Sequence, residues 1–160
     1  MSEKIDTEEH LCRTEEETFQ LGIEIGKSLN GGEIILLLGG LGAGKTLITK
    51  GIVSALGFDE NEVNSPSFTI VNIYPTEKLN VYHIDLWRIE NENDPSIGLE
   101  EILNDEKSIV IIEWADKIKD CSTLPRKKIF VRIEGEGDQE RRIFVNRSGL
   151  DTEVEDLIFY

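Results

Sequence analysis

The 160-residue sequence predicts an α/β fold with a mostly parallel central sheet, antiparallel additions and flanking helices. Three observations carry this prediction. The segment EIILLL at 33–38 is almost continuously apolar, as expected of a strand covered on both faces. A glycine-rich loop and a helical pattern follow it directly, and SIVIIEW at 108–114 is a second apolar segment of the same kind. With 39% hydrophobic residues, the chain is expected to form one domain over residues 1–160.

The elements around the first apolar strand have clear boundary signals. Thr14 and Glu17 have the spacing of a capping box, and the apolar stripe that follows predicts a helix over 15–29. After the strand and the glycine-rich loop, a second helix is expected to start near Gly44 and to end at Gly57. The order strand, glycine loop, helix is therefore predicted.

The second half of the chain predicts more strands than helices. The β-branched and aromatic segments 68–74 and 79–87 are expected to form a hairpin, and 94–103 to carry a short helix. The segments 127–133 and 141–146 flank a charged turn and predict two further strands, antiparallel to each other. Residues 146–160 are compatible with either a docked helix or a mobile tail.

Charge and composition limit the class of partner. The net charge of −15 disfavours strong direct binding to nucleic acid. Residues 126–147 carry seven basic and four acidic side chains, which indicates either a solvated strand pair or a patch for an acidic partner. No signal-peptide pattern and no long apolar span occurs, and Cys12 and Cys121 form no CxxC pair, so a cytosolic protein with reduced thiols is expected.

The strongest motif is GxxxxGKT, formed by Gly39, Gly44, Lys45 and Thr46. In such a loop the backbone N–H groups surround phosphate oxygens, the lysine reaches the terminal phosphates and the hydroxyl binds magnesium. Its position between an apolar strand and a helix places the phosphates at the positive end of the helix dipole. The motif therefore predicts a nucleotide site with a magnesium ion.

Two acidic residues are candidates to complete this site. Asp85 and Glu113 each stand at the end of a predicted strand, where ligands of open α/β sheets gather. Glu113 is the candidate metal ligand, and Asp85 either supports the metal or water or caps a turn. His83 alternates with packed strand residues, which favours a buried, hydrogen-bonded role over that of a base.

Several classes of nucleotide enzyme remain open at this point. The sequence has no NKxD segment and no DxxG switch, so a GTPase is disfavoured. A small-molecule kinase would need an arginine-rich lid, for which the basic residues at 126–142 are the candidates. A binding module gated by nucleotide would use the segment 65–69 as its switch.

Five segments in the same order resemble the bacterial TsaE family of tRNA threonylcarbamoyladenosine biosynthesis ATPases. They are GGLGAGKT, NSPSFTIVNIY, VYHIDLWRI, GLEEIL and IIEWADKI, and the resemblance covers about residues 14–133. It implies a P-loop ATPase that uses ATP and Mg²⁺ and assists the partner proteins TsaD and TsaB. The chain departs from the family's usual residues at Gly40, Leu47, Ser67 and Trp87.

The resemblance also implies roles for individual residues. Lys45, Asp85, Glu113 and Thr69 are the expected catalytic set, in which Thr69 senses or orients the γ-phosphate. Thr46 and Glu113 are the expected magnesium ligands. The expected nucleotide contacts are Thr14, Glu15, Gly39, Leu41, Gly42, Ala43, Gly44, Lys45, Thr46 and Leu47.

Overall fold

The fold is built on one seven-stranded mixed sheet with helices on both of its faces. A computed structural model describes residues 7–40, 44–120, 124–135 and 137–148. The strands are β1 Thr7–Cys12, β2 Ile34–Leu38, β3 Val71–Pro75, β4 Asn80–Asp85, β5 Ile109–Glu113, β6 Lys128–Glu134 and β7 Arg141–Ser148, and the helices are α1 Glu15–Lys27, α2 Lys45–Ala55 and α3 Leu99–Asn104. No helix among the described residues is long and apolar enough to cross a bilayer.

The strand order is β1-β7-β6-β2-β5-β4-β3. The pairs β6–β2, β2–β5 and β5–β4 are parallel and form the centre. The pairs β1–β7, β7–β6 and β4–β3 are antiparallel and form the two edges. The predicted α/β class is confirmed, but the described sheet is evenly mixed rather than mostly parallel, because antiparallel strands extend both of its edges.

Both faces of the central strand β2 are buried, as its continuous apolar sequence predicts. Ile35 and Leu37 pack in the cluster that contains the apolar faces of α1 and α2. Ile34, Leu36 and Leu38 pack on the opposite face, in the cluster that contains α3. The sheet therefore separates two hydrophobic layers, and α2 is fixed on the first of them.

The helices α1 and α2 approach so closely that their contact requires glycine. A Cβ atom built on Gly51 would lie 2.3 Å from the carbonyl oxygen of Phe19, and one on Gly22 would lie 2.4 Å from that of Ile48. No side chain fits at these distances. This contact fixes α2 against α1 and so sets the position of its first turn.

Several predicted boundaries shift in the structure. The helix predicted over 15–29 ends at Lys27, and the helix predicted within 94–103 starts only at Leu99, because Asp94 caps a turn by accepting hydrogen bonds from the backbone and hydroxyl of Ser96. Strand β3 starts at Val71 rather than at 68.

Two parts of the chain differ from or lie beyond the sequence-based expectations. Strand β1 was not predicted, and it pairs in antiparallel fashion with β7. The predicted antiparallel strands near the C-terminus are confirmed as β6 and β7, and β7 continues to Ser148. The expected helix or tail beyond that residue falls outside the described residues.

Candidate functional site

The glycine loop connects β2 to α2 at the carboxyl end of the central strands. Gly44 is the N-cap of α2 and has a φ of 104°, a conformation that glycine adopts without steric cost. Of the loop residues expected to contact a nucleotide, Leu41, Gly42 and Ala43 fall outside the described residues. The turn at Gly44 places Lys45 and Thr46 in the first turn of α2.

Lys45 lies in a buried position although it carries a charge. Its Nζ donates a hydrogen bond of 2.9 Å to the carbonyl oxygen of Gly39 and lies 3.9 Å from the centroid of the Trp114 ring. Burial lowers the pKa of Lys45 from its usual value, and the negative charges of Glu113 and Asp85 partly oppose this shift. A buried ammonium group with few partners is suited to bind an anion.

Asp85 and Glu113 are neighbours across the parallel pair β4–β5, at the strand ends that the sequence indicated. Both are nearly fully buried, with exposures of 5% and 3%. Burial raises the pKa of Asp85 and the charge of Glu113 adds to this shift, whereas a hydrogen bond of 2.8 Å from the Trp87 backbone N–H lowers it. Glu113 Oε2 lies 2.8 Å from His83 Nε2, so the buried, hydrogen-bonded role expected of His83 is confirmed.

These groups line one cavity of about 370 Å³. Its lining residues are Gly44, Lys45, Thr46, Leu47, Ser65, Ser67, Asp85, Trp87, Glu113 and Trp114. The cavity thus combines an ammonium group, hydroxyl groups and two carboxylates next to the N-terminus of α2. Such a set is chemically suited to a polyanion that carries a divalent cation.

Two tryptophans form one wall of this cavity. The rings of Trp87 and Trp114 lie 4.4 Å apart, and Lys117 donates a hydrogen bond of 2.5 Å to the carbonyl oxygen of Trp87. Trp114 has a φ of 58°, which is rare for a residue with a side chain. Trp114 directly follows Glu113 in the sequence, and Trp87 directly follows the two residues Asp85 and Leu86, so both rings come from the ends of the two strands that carry the carboxylates.

The segment 65–69 contributes Ser65 and Ser67 to the cavity, but the structure does not bring Thr69 to its wall. The Thr69 hydroxyl donates a hydrogen bond of 2.6 Å to Asn72 Oδ1 instead. Phe68 is 80% exposed. In this conformation the segment therefore contacts the cavity through its serines.

A second cavity of about 250 Å³ adjoins the first across Gly44 and Leu47, which line both. Its other lining residues are Cys12, Arg13, Thr14, Glu15, Thr18, Gly137, Asp138, Gln139 and Arg141. Thr14 and Glu15 thus lie near the glycine loop, as the resemblance implies. The wall from the turn between β6 and β7 was missed, because no local sequence signal links that turn to α1.

The N-cap predicted at Thr14 is confirmed, but the reciprocal bond of a capping box is not formed to Thr14, because the Glu17 carboxylate pairs with the residue before Thr14. Thr14 Oγ1 accepts a hydrogen bond of 3.1 Å from the Glu17 N–H, and the Glu17 carboxylate accepts one of 2.6 Å from the Arg13 N–H. Thr14 therefore has a structural role as well as its place at the second cavity.

The basic side chains of 126–147 make structural contacts. The Arg126 guanidinium donates to the carbonyl oxygens of Leu103, Asp105 and Ser108, and Arg142 lies 3.2 Å from Glu9. These contacts favour the solvated strand pair over a patch for an acidic partner.

Comparison with known proteins points to one family. A family model described as "Threonylcarbamoyl adenosine biosynthesis protein TsaE" matches residues 12–143. The chain is 39% identical over 112 residues to the tRNA threonylcarbamoyladenosine biosynthesis protein TsaE of Bacillus subtilis. This alignment covers 70% of this chain and 68% of that protein. It is 35% identical over 140 residues to the TsaE of Aquifex aeolicus, with coverages of 87% and 96%.

A solved structure agrees with these matches. The crystal structure of Bacillus subtilis YdiB superposes with a TM-score of 0.72 at 29% identity, over 92% of this chain and 90% of that one. The matched residues include the glycine loop, both strand-end carboxylates and the segment 65–69. The chain therefore belongs to the TsaE family.

Proposed function

We propose that this protein has a P-loop NTPase fold and is a magnesium-dependent ATPase that assists the threonylcarbamoylation of tRNA adenosine through partner proteins of the TsaD and TsaB type. One observation carries the ATPase proposal. Lys45 and Thr46 at the start of α2 line the same cavity as the strand-end carboxylates Asp85 and Glu113. Family membership and the names of the curated relatives support the pathway.

The residues of the cavity suggest a division of tasks during hydrolysis. The Lys45 ammonium binds the terminal phosphates, which replace the Gly39 carbonyl and the Trp114 ring as its partners. The backbone at the start of α2 directs its N–H groups to the same phosphates. The Asp85 carboxylate orients the attacking water.

The oxygen donors of the cavity fit magnesium. Mg²⁺ prefers oxygen ligands and is usually held by one or two carboxylates together with substrate phosphates, which matches the Thr46 hydroxyl and the Glu113 carboxylate. When bound, the metal neutralises charge on the phosphate oxygens. The second cavity, lined by Thr14 and Glu15, is the proposed site of the adenine or ribose.

The surface charge supports action through partner proteins rather than direct tRNA binding. A net charge of −15 repels a polyanion over most of the surface. The Phe68 ring is 80% exposed, with the Arg88 guanidinium 4.3 Å from its centroid, and it lies on the segment that lines the cavity. A partner protein that contacts this ring would therefore respond to a nucleotide in the cavity.

The small-molecule kinase has less support than the ATPase. Its lid would have to come from the basic residues at 126–142, but the described ones lie largely in strands β6 and β7 of the sheet. Two packed strands are poorly suited to close over a transferring phosphate.

Phosphate release with Mg-ATP distinguishes these functions. The ATPase proposal predicts release without an added acceptor, and faster release when TsaD and TsaB from the same organism are present. Release that requires a small acceptor would support the kinase instead. Binding without any turnover, alone or with partners, would leave only a nucleotide-gated module.

A further inference from the structure

His83 is buried and polar, yet the proposed chemistry gives it no task. Its side chain has an exposure of 0%, and both ring nitrogens have partners. Nε2 lies 2.8 Å from Glu113 Oε2, and Nδ1 lies 2.9 Å from the Tyr74 hydroxyl. Placing such a group in a core is costly unless it is hydrogen-bonded, so this pair of contacts fixes the ring plane.

The Tyr74 hydroxyl continues these contacts to the loop that lines the cavity. It donates a hydrogen bond of 2.9 Å to the carbonyl oxygen of Asn64, the residue just before Ser65. The Asn72 amide donates to the same carbonyl at 3.0 Å. Because Asn72 Oδ1 also accepts from the Thr69 hydroxyl, both ends of the segment 64–69 are held by β3.

We propose that His83 and Tyr74 are positioning residues that orient the Glu113 carboxylate and couple it to the segment 64–69. This inference rests on the proposed function, in which Glu113 is a magnesium ligand. The polar contacts run from the buried Glu113 through the buried His83 and Tyr74 side chains to the backbone carbonyl oxygen of Asn64, which is an exposed residue.

The geometry explains why such coupling is effective. One carboxylate oxygen of Glu113 is held by the imidazole, which restricts rotation of the carboxylate that lines the cavity. Ser65 and Ser67 line the same cavity from the other end of the network. A ligand in the cavity thus contacts both Glu113 and the segment, and a change at either one is transmitted through buried groups.

The first test measures how magnesium strengthens ATP binding. Tyr74→Phe keeps the ring that packs 4.9 Å from Phe58 and removes only the hydroxyl, whereas His83→Gln retains an amide that can face Glu113. Loss of partners around a metal ligand typically weakens metal affinity roughly 10- to 100-fold. We expect both variants to need a several-fold higher Mg²⁺ concentration to reach half of the increase in ATP affinity that Mg²⁺ causes. Their affinity for ATP without Mg²⁺ should be unchanged.

Tyr82→Phe is the matched control. Tyr82 lies on β4, and its hydroxyl donates to Asp105 Oδ2 at 3.2 Å, away from the cavity. The control should lose the same kind of hydrogen bond without any change in magnesium dependence. Equal magnesium dependence in Tyr74→Phe, His83→Gln and wild type would overturn the positioning role.

The second test needs no nucleotide. The Ile70 amide donates to the Pro66 carbonyl oxygen at 2.8 Å. Its hydrogen exchange therefore reports how often the segment opens and breaks this hydrogen bond. We expect Glu113→Gln to speed this exchange in the wild-type background and to add nothing in the Tyr74→Phe background. The coupling is overturned if Glu113→Gln leaves the exchange of the wild-type protein unchanged. It is also overturned if Glu113→Gln speeds the exchange as much in the Tyr74→Phe background as in the wild-type background.

The two tests separate this inference from the proposed function. If the wild-type protein binds no ATP, the proposed function fails, while the exchange measurement still decides the coupling. If ATP binds but the variants behave like the Tyr82→Phe control, the function stands and the positioning role fails.

Discussion

The Nζ of Lys45 lies 3.9 Å from the centroid of the Trp114 ring and donates a hydrogen bond to the carbonyl oxygen of Gly39. Both partners are uncharged, and within the part of the chain that the structure describes Lys45 forms no salt bridge. Trp114, whose ring covers the ammonium group, has a left-handed backbone with a φ of 58°. A phosphate would offer Lys45 a stronger partner than either group.

The first prediction is that Lys45 moves away from the Trp114 ring when ATP binds. Addition of Mg-ATP should change the fluorescence of Trp114, because a cation moves away from its indole. The Trp87→Phe variant isolates this signal, since the chain contains two tryptophans. A titration in that variant should saturate, and no spectral change at saturating ATP would argue against the rearrangement.

The pH dependence of stability tests the burial of Asp85. Its raised pKa in the folded state means that the ionised carboxylate opposes folding at neutral pH. Asp85→Asn should therefore increase the free energy of unfolding at pH 7, and the gain should vanish below about pH 4, where the unfolded carboxyl is also protonated. Urea unfolding across this range measures the difference.

Asp94 provides the opposite control for that experiment. Its hydrogen bonds from Ser96 lower the pKa of Asp94, so its stabilisation is present at neutral pH and is lost as the pH falls. Asp94→Asn should accordingly not stabilise the protein at pH 7. A destabilised Asp85→Asn variant at that pH would contradict the burial argument.

The contact between α1 and α2 predicts an intolerant glycine. Gly51→Ala should lower the free energy of unfolding by roughly 1–3 kcal/mol or more, because its Cβ would meet the Phe19 carbonyl oxygen. Gly40→Ala is the control, since a Cβ there meets nothing within 4 Å. Thermal or denaturant unfolding of both variants decides the point, and equal stability would show that the helices can separate without cost.

The two roles of Thr14 can be separated by comparison with Glu17. Thr14→Ala removes an N-cap and should cost about 1 kcal/mol of stability. Glu17→Ala removes the hydrogen bond that the Glu17 carboxylate accepts from the Arg13 N–H, and Glu17 does not line the second cavity. If the base or ribose binds in the second cavity, Thr14→Ala should weaken ATP binding and Glu17→Ala should not. Equal ATP affinity of the two variants would show that Thr14 acts only as an N-cap.

Much of the fold could be predicted because its central strands are buried on both faces. The continuous apolar runs that became β2 and β5 exclude most alternatives, and their ends indicated where Glu113 would lie. Strand β1 gave no such signal. Its sequence TEEHLC is polar and mostly exposed, and it is a strand because it pairs with β7, which is distant in the chain.

The site was less predictable than the fold because it depends on side-chain direction. The strand ends predicted that Asp85 and Glu113 would lie together, but no sequence pattern indicated that the Trp114 ring would cover Lys45. Likewise, Thr69 was expected near the γ-phosphate, whereas its hydroxyl is paired with Asn72 across the start of β3. Local spacing carries no information on such pairings.

Calorimetric titration with ATP and Mg²⁺ tests the central claim most directly. Lys45→Ala should weaken binding by at least roughly tenfold, since it removes a charged hydrogen-bond donor to phosphate. Lys50→Ala, which removes the same charge from the same helix outside the cavity, should bind like the wild type. Equal affinity of Lys45→Ala and wild type would contradict the assignment of this cavity to nucleotide.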